Sequence, residues 1–335
     1  MTSTGFIDYR NRVFRYYNES RYREALEVAQ DAAQKFPDYD AKTSFWIACL
    51  QSRLGNEDEA IRVLQAAIER SVWWPTEVLR DNDLDPIRDK PEFTTIEAEC
   101  ARLKRKQLSQ KTSPDLIVRL PTAYGEGKES PALMVFHQRY GERPELSAAP
   151  WLSTLSMGMI LAAPWSSQVY AHDGRSWDNL EVSKKDLKWA FSKLKSEYRV
   201  DAQKLVVGGF SQGGALSVYS VLQRIVPSRG FVAVAPSDWI IPEDKPATER
   251  ERPSEAFRSL IESSNCRGLR GVIITGDKDP FFPKIQQLYR LMVDKGLDGK
   301  LQIETGLGHE YPEKFGDKLR TALDFVLENG AKVSV

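Results

Sequence analysis

The chain has 335 residues and carries 47 basic and 47 acidic side chains. Such a balance provides no field to attract phosphate backbones, so we expect no nucleic acid partner. The three cysteines are far apart without a CxxC pair, which argues against a zinc site, and no apolar run approaches the roughly 18 residues of a membrane span. The N-terminus lacks the pattern of a secretory signal peptide. We therefore expect a cytoplasmic protein without a membrane span or a metal.

Residues 1–107 read as successive helices with apolar stripes and polar turns. Within them, SRYREALEVAQDAAQKFP (20–37) aligns with GNEDEAIRVLQAAIERSV (55–72) at a period of 35, which places Ala25 over Ala60 and Ala32 over Ala67. This pattern resembles the tetratricopeptide repeat, whose second helix carries small residues for close packing. The alternative is a helical hairpin array without peptide-binding capacity, because small residues at this spacing serve any close helix pair.

The segment after the repeats is interpreted as their cap, with Trp73 and Trp74 closing the stack, since helical arrays need such an end. The polar, apolar-poor residues 108–114 that follow predict a linker. The sequence thus predicts an all-α helical repeat domain at 1–107 and a second domain at 115–335.

In the second domain, short β-branched runs alternate with helical patterns. The predicted strands are LIVRL (116–120), ALMVFH (132–137), GMILAAP (158–164), KLVVGG (204–209), FVAVAP (231–236), GVIITG (271–276) and LQIET (301–305). This alternation predicts an α/β domain with a mostly parallel sheet and helices on both faces.

The pentapeptide GFSQG (209–213) lies between a predicted strand and a predicted helix, the setting that a nucleophile elbow requires. Glycines on both sides of Ser211 leave room for a strained turn, and the N-terminus of the following helix would direct N–H groups at an oxyanion. The alternative is that the glycines only let the helix pack closely on its strand.

A nucleophilic serine needs an imidazole to accept its proton. The chain has three histidines. His309 lies in GLGHEYP, directly after the last predicted strand, and is the predicted base. His137 ends a strand and is interpreted as supporting its loop, whereas His172 lies in a loop between strands.

A carboxylate must then fix the tautomer of the imidazole. Asp279 follows the strand GVIITG in the proline-stiffened loop GDKDPFFP and is the predicted acid; Asp277 and Asp238 are the alternatives. The order Ser211, Asp279, His309 is the chain order of α/β-hydrolases.

The segments GGFSQGGALS, GDKDPFFP, GLGH, PALMVFH (131–137) and RSWDN (175–179) together resemble the phospholipase/carboxylesterase branch of α/β-hydrolases, which includes acyl-protein thioesterases. The resemblance covers about residues 114–330 and predicts an α/β-hydrolase fold. It implies that Ser211 is the nucleophile, Asp279 the acid and His309 the base. It further implies an oxyanion hole formed by the backbone N–H groups of Gln212 and Arg139.

The family pattern has a glycine where Gln138 stands here, so we expect this side chain to narrow the acyl pocket or tilt the Arg139 amide. Trp177 matches a segment that lines the site in the family and is predicted to bind substrate, although a Trp buried for its area is the alternative. The proline-rich segment 237–257 is predicted to cover the pocket, with Trp239, Ile240 and Ile241 facing the substrate; the alternative is an ordinary solvated insertion.

The function predicted from the sequence is hydrolysis of small-molecule carboxylic esters or thioesters through an acyl-enzyme on Ser211, with no cofactor. One alternative is a repeat-based adaptor with a weakly active hydrolase-like domain; the others are a lysophospholipase or a peptidase with the same three residues. The helical repeats are a possible binding surface for a protein partner.

Overall fold

A computed structural model describes residues 3–125, 127–141, 143–237 and 252–328. The chain divides into two compact units. The first consists of Met1–Thr112 with Val169–Gly174, and the second of Ser113–Gln168 with Arg175–Val335. None of the described helices combines the length and the apolar content needed to cross a bilayer.

The first unit is helical. Its α-helices are α1 (Ser3–Asn18), α2 (Tyr22–Lys35), α3 (Asp40–Arg53), α4 (Glu57–Glu69), α5 (Thr76–Leu79), α6 (Asp85–Arg88) and α7 (Pro91–Leu108), with 3-10 turns at Pro37–Tyr39 and Asn82–Leu84. The aligned alanines of α2 and α4 are all fully buried, so the small residues lie at helix contacts. Trp74 is 1 % exposed, and its indole N–H donates to the carbonyl of Ala41 at the start of α3, 2.9 Å away.

The second unit is built on a seven-stranded sheet. The strands of the unit and of a separate short hairpin are β1 (Asp115–Arg119), β2 (Ser130–Phe136), β3 (Ile160–Trp165), β4 (Val169–Ala171), β5 (Gly174–Arg175), β6 (Val200–Phe210), β7 (Gly230–Val234), β8 (Arg270–Gly276) and β9 (Asp298–Glu304). The order across the large sheet is β1-β3-β2-β6-β7-β8-β9. Strand β1 runs antiparallel to β3, and the other neighbours pair in parallel. All seven predicted strands are present.

Helices cover both faces of this sheet. They are α8 (Pro144–Ala148), α9 (Leu180–Glu197), α10 (Gln212–Leu222), α11 (Glu255–Ser263), α12 (Phe282–Asp294) and α13 (Phe315–Leu327), with a 3-10 helix at Ala149–Met157. Alternate residues of one strand enter opposite cores. Met134 of β2 packs in the core of α9, α10 and α12, while its neighbour Val135 packs in the core of α13. The predicted fold class is therefore confirmed.

The short hairpin β4–β5 lies in a different unit from the one that the predicted domain boundary gives. Sequence reasoning kept it in the second domain, but Val169–Gly174 is part of the helical unit. Val169 packs against that unit's apolar core, and the side-chain amide of Gln107 donates to the carbonyl of His172 at 3.2 Å. The contacts that hold the segment are tertiary and leave no periodic trace in the sequence.

Candidate functional site

Ser211 occupies a sharp turn between β6 and α10. Its backbone has φ 54° and ψ −120°, a combination that costs free energy in any residue with a side chain. Hydrogen bonds on both sides hold the turn: the Ser211 N–H donates to Val234 O at 3.0 Å, and the Ser211 carbonyl accepts from the N–H groups of Ala215 and Ser237. The side chain is thereby presented at the carboxyl edge of the sheet.

The glycines that flank the turn are required by backbone contacts. A Cβ at Gly213 would overlap the carbonyl oxygen of Phe136 at the end of β2, and one at Gly209 would overlap the backbone of Gly213. The start of α10 therefore packs directly on the ends of β2 and β6. The turn has the strand-turn-helix geometry that a nucleophile elbow requires, and the helix also packs closely on its strand, so the two interpretations of the motif do not exclude each other.

Three side chains far apart in the sequence meet at this edge. His309 Nε2 lies 2.9 Å from Ser211 Oγ, and His309 Nδ1 lies 2.9 Å from Asp279 Oδ2. The Asp279 side chain is completely buried, whereas that of His309 is 27 % exposed. Parallel strands end at the same edge of a sheet. Ser211 follows β6, Asp279 follows β8 and His309 follows β9.

The carboxylate of Asp279 is itself held in place. Its Oδ1 accepts from the N–H of Phe281 at 2.8 Å, which leaves Oδ2 directed at His309. Asp277 plays a different part, because its Oδ1 accepts from the N–H of Gly306 at 2.7 Å and so braces the loop that leads to His309. The other sequence alternative, Asp238, lies outside the described residues.

Aromatic rings surround the imidazole of His309. The Phe210 ring is tilted against it at 5.0 Å between centroids, and the Phe281 ring meets it edge-on at 5.1 Å. Tyr311 stacks on Phe210 at 4.7 Å, and its hydroxyl accepts from the indole N–H of Trp151 at 3.2 Å. These contacts restrict rotation of the imidazole and give it an apolar setting.

The segment after β2 forms the other side of the site. His137 is 1 % exposed, and its Nε2 accepts from the N–H of Ser166 at 3.2 Å. The proton is therefore assigned to Nδ1, which donates to the carbonyl of Gln138 at 2.8 Å. Burial, together with the nearby Arg175 cation, lowers the pKa of His137 from 6.5 to about 4. A neutral imidazole thus supports the loop from beneath, as the sequence interpretation expected.

We expect His137 to make the protein less stable in mild acid. Because the folded pKa of about 4 lies below the unfolded value of 6.5, its contribution is complete above pH 6.5 and is lost as the pH falls toward 4. At about 1.4 kcal/mol per pKa unit, the free energy of unfolding should decrease on the order of 3 kcal/mol over this range. Urea denaturation at several pH values measures the decrease. It should disappear in His137→Gln and persist in His309→Gln; an equal decrease in both variants would contradict the prediction.

The loop with Trp177 and Asp178 joins the end of β2 to the start of α10. The backbone N–H of Trp177 donates to Gln212 Oε1 at 3.0 Å, and Gln212 Nε2 donates to Asp178 Oδ1 at 2.8 Å. The second carboxylate oxygen of Asp178 accepts from Arg139 Nη2 at 3.3 Å. The indole N–H of Trp177 donates to the carbonyl of His137 at 3.0 Å.

The expected substrate-binding residues meet different outcomes. Trp177 is 0 % exposed and stacks on the His137 ring at 4.6 Å, so its side chain supports β2 instead of lining a cavity. The substrate-binding expectation for Trp177 is corrected accordingly. Gln138 is half-buried beside Arg139, and Trp239, like residues 240 and 241, lies outside the described residues.

Among the described residues, one group of side chains has the composition of a metal site: Cys49, Asp81 and Asp83 in the first unit. The Asp83 carboxylate already accepts from the hydroxyl of Tyr17 at 2.8 Å. Burial raises the pKa of the Cys49 thiol well above its ordinary value, which keeps the thiol protonated and a poor ligand. The group is better described as a hydrogen-bonded structural cluster.

The sequence did not predict the contacts of Asp178 or the aromatic rings around His309. Asp178 stands next to Trp177 in RSWDN, a segment already singled out, so its position in the sequence was the available indication. Phe210 directly precedes Ser211, and Tyr311 lies two residues beyond His309. Their proximity in the sequence to the predicted catalytic residues Ser211 and His309 could have identified both.

Comparison with known proteins yields two family matches. Residues 5–109 match the model described as "A/B hydrolase-like, N-terminal domain", and residues 169–252 match "Phospholipase/Carboxylesterase". The second match includes Ser211 and ends before Asp279 and His309. No curated protein sequence gave a significant match.

Solved structures also resemble the chain. An uncharacterized protein from Bacillus cereus ATCC 10987 is 27 % identical, with a TM-score of 0.49 over 98 % of this chain and 99 % of that one. Esterase PE8 is 18 % identical, with a TM-score of 0.49 over 63 % of this chain and 97 % of its own. Porphyromonas gingivalis dipeptidyl peptidase 4 is 15 % identical, with a TM-score of 0.50 over 68 % of this chain and 37 % of that one, a likeness of fold. The chain thus has an α/β-hydrolase fold, in which one segment matches an A/B hydrolase-like N-terminal domain and another matches the Phospholipase/Carboxylesterase family.

Proposed function

We propose that the protein is a serine hydrolase that cleaves carboxylic esters and thioesters through an acyl-enzyme on Ser211. The observation that carries the proposal is the unbroken hydrogen-bonded line from Ser211 Oγ through His309 to Asp279, with both distances 2.9 Å. A hydroxyl, an imidazole and a buried carboxylate in this order are the parts that acyl transfer to serine requires.

The three side chains divide the reaction between them. Asp279 accepts a hydrogen bond from Nδ1–H of His309, which leaves Nε2 free to take the proton of the Ser211 hydroxyl as Oγ attacks the acyl carbon. The resulting imidazolium, stabilised by Asp279, then protonates the departing alcohol or thiol. Water, deprotonated by His309 in turn, attacks the acyl-enzyme and releases the acid.

Negative charge on the acyl oxygen needs donors that are in place before the reaction. The backbone N–H of Gln212 opens α10, where the first amides have no partner within the helix and the helix dipole is positive. We assign the second donor to the backbone N–H of Arg139 after β2. One such donor contributes about 2.7 to 4 kcal/mol of transition-state stabilisation.

Gln138 precedes that second donor and is half-buried, which suits a side chain that limits the acyl group. We therefore keep Gln138 as a proposed substrate contact. The protein partner of the helical unit and the cytoplasmic location remain predictions from the sequence.

The proposal is tested with a fluorophosphonate probe, which reacts with activated serines. We expect one labelled site, identified by mass spectrometry in the peptide that contains Ser211, and hydrolysis of p-nitrophenyl butyrate by the unlabelled protein. Ser220→Ala is the matched control for Ser211→Ala. Ser220 lies on α10 and is fully buried, so its loss should leave labelling and turnover unchanged. Labelling at another serine, or a folded protein that neither labels nor turns over, would refute the function.

A further inference from the structure

We propose that Asp178 is a positioning residue that holds the two oxyanion donors at a fixed separation. The inference rests on the proposed function, because it concerns the oxyanion of that reaction. The donors belong to Gln212 at the start of α10 and to Arg139 after β2, two elements that are distant in the sequence. The pairing of β2 with β6 and the packing of α10 on the end of β2 bring these elements together, and the side chains of both donor residues converge on one carboxylate.

The carboxylate of Asp178 divides its two oxygens between the two donor residues. Oδ1 accepts from Gln212 Nε2 at 2.8 Å, and Oδ2 accepts from Arg139 Nη2 at 3.3 Å. The Arg139 contact is also an ion pair. A single rigid group therefore spans the side chains of the residues whose backbone amides are to bind the oxyanion.

The Gln212 end of this connection has little freedom. The residue is 0 % exposed, and its second amide atom, Oε1, accepts from the backbone N–H of Trp177 at 3.0 Å. The carboxamide cannot rotate without losing two hydrogen bonds in a site closed to water, which is costly. Because Gln212 directly follows Ser211, this orientation also fixes the first turn of α10.

The adjacent residue Trp177 secures the other end. Its indole N–H donates to the carbonyl of His137, and its ring stacks on the His137 ring at 4.6 Å. Residues 177 and 178 therefore contact both the segment after β2 and the start of α10. A displacement of about 1 Å between reacting groups can cost about a hundredfold in rate, so such a connection affects catalysis without touching substrate.

Removing the negative charge of Asp178 distinguishes a positioning role from an electrostatic one. A carboxylate that flanks a developing oxyanion opposes its formation, so removing the negative charge alone should favour the reaction. A loss of rate in Asp178→Asn therefore comes from the broken connection, since asparagine cannot accept from Gln212 and Arg139 with two carboxylate oxygens.

The test measures kcat and KM for p-nitrophenyl butyrate and the inhibition constant of an alkyl trifluoromethyl ketone, whose adduct with serine places an oxyanion in the hole. In Asp178→Asn we expect kcat to fall about 10- to 100-fold, KM to change less than about threefold, and the inhibition constant to rise by the same factor as kcat/KM falls. Asp178→Asn combined with Arg139→Gln should be little worse than the poorer single variant, since both cut one connection.

Asp201→Asn is the control for charge, because Asp201 caps the N–H of Gln203 at the opposite end of β6 and should leave all constants unchanged. Wild-type kcat or a faster reaction in folded Asp178→Asn would overturn the inference, and so would a lowered melting temperature with normal kcat. If Asp178→Asn does not fold, Arg139→Gln is used instead. It removes the contact of the partly exposed Arg139 guanidinium with Asp178, and the same changes in kcat, KM and the inhibition constant are expected. If the wild type shows neither turnover nor labelling, the proposed function itself is refuted. Normal turnover in Asp178→Asn refutes only the positioning role of Asp178.

Discussion

Replacing Ser211 by alanine is expected to lower kcat for p-nitrophenyl butyrate by about 10⁶-fold and to abolish fluorophosphonate labelling. The hydroxyl oxygen is the atom that forms the acyl bond, and no other oxygen is hydrogen-bonded to His309 Nε2 among the described residues. KM for the ester should change little, because alanine removes one atom and leaves the remaining site intact. Steady-state kinetics on the purified variant, with wild-type thermal stability as the check on folding, provide the measurement.

We expect His309 to act as one unit with Ser211. Residues that act as one unit are strongly non-additive, so His309→Ala alone, Ser211→Ala alone and the double variant should lose similar factors. Independent roles would instead multiply the two losses. Ser220→Ala should retain wild-type kinetics. Appreciable acyl-enzyme turnover in Ser211→Ala would show that another nucleophile operates.

The fold could be predicted because the inner strands of its sheet are buried on both faces. Such strands appear in the sequence as continuous β-branched runs, and all seven runs are strands of the sheet. The convergence of Ser211, Asp279 and His309 followed from topology, since residues after parallel strands share one edge. For these elements, the local pattern of apolar residues is sufficient to predict both the strands and the edge of the sheet where the three residues lie.

The residues that could not be predicted depend on contacts between distant loops. The hairpin Val169–Gly174 belongs to the helical unit through packing of Val169, which has no periodic pattern. Trp177 is predicted to face substrate, and its burial depends on contacts with the His137 ring and carbonyl and with the Phe136 ring. The role of Asp178 likewise depends on where a glutamine side chain points, which a sequence does not specify.

Asp279→Asn is expected to lower kcat by about 10⁴-fold through the wrong tautomer of His309. Asp279 Oδ1 is held by the N–H of Phe281, so an asparagine must place its carbonyl oxygen there. The amide nitrogen then faces His309 Nδ1 and donates to it, which moves the imidazole proton to Nε2. An Nε2–H cannot accept the proton of Ser211, so attack becomes slow while substrate binding is preserved.

Asp277→Asn in the same loop is the matched control. Asp277 accepts one hydrogen bond from Gly306 N–H, and an asparagine oxygen can accept it as well, so kcat should stay within about tenfold of the wild type. Equal losses in the two variants would mean that the loop as a whole, and not the carboxylate on Nδ1, sets the rate. A larger loss in Asp277→Asn would assign the acid to Asp277, in conflict with the 2.9 Å contact between Asp279 and His309.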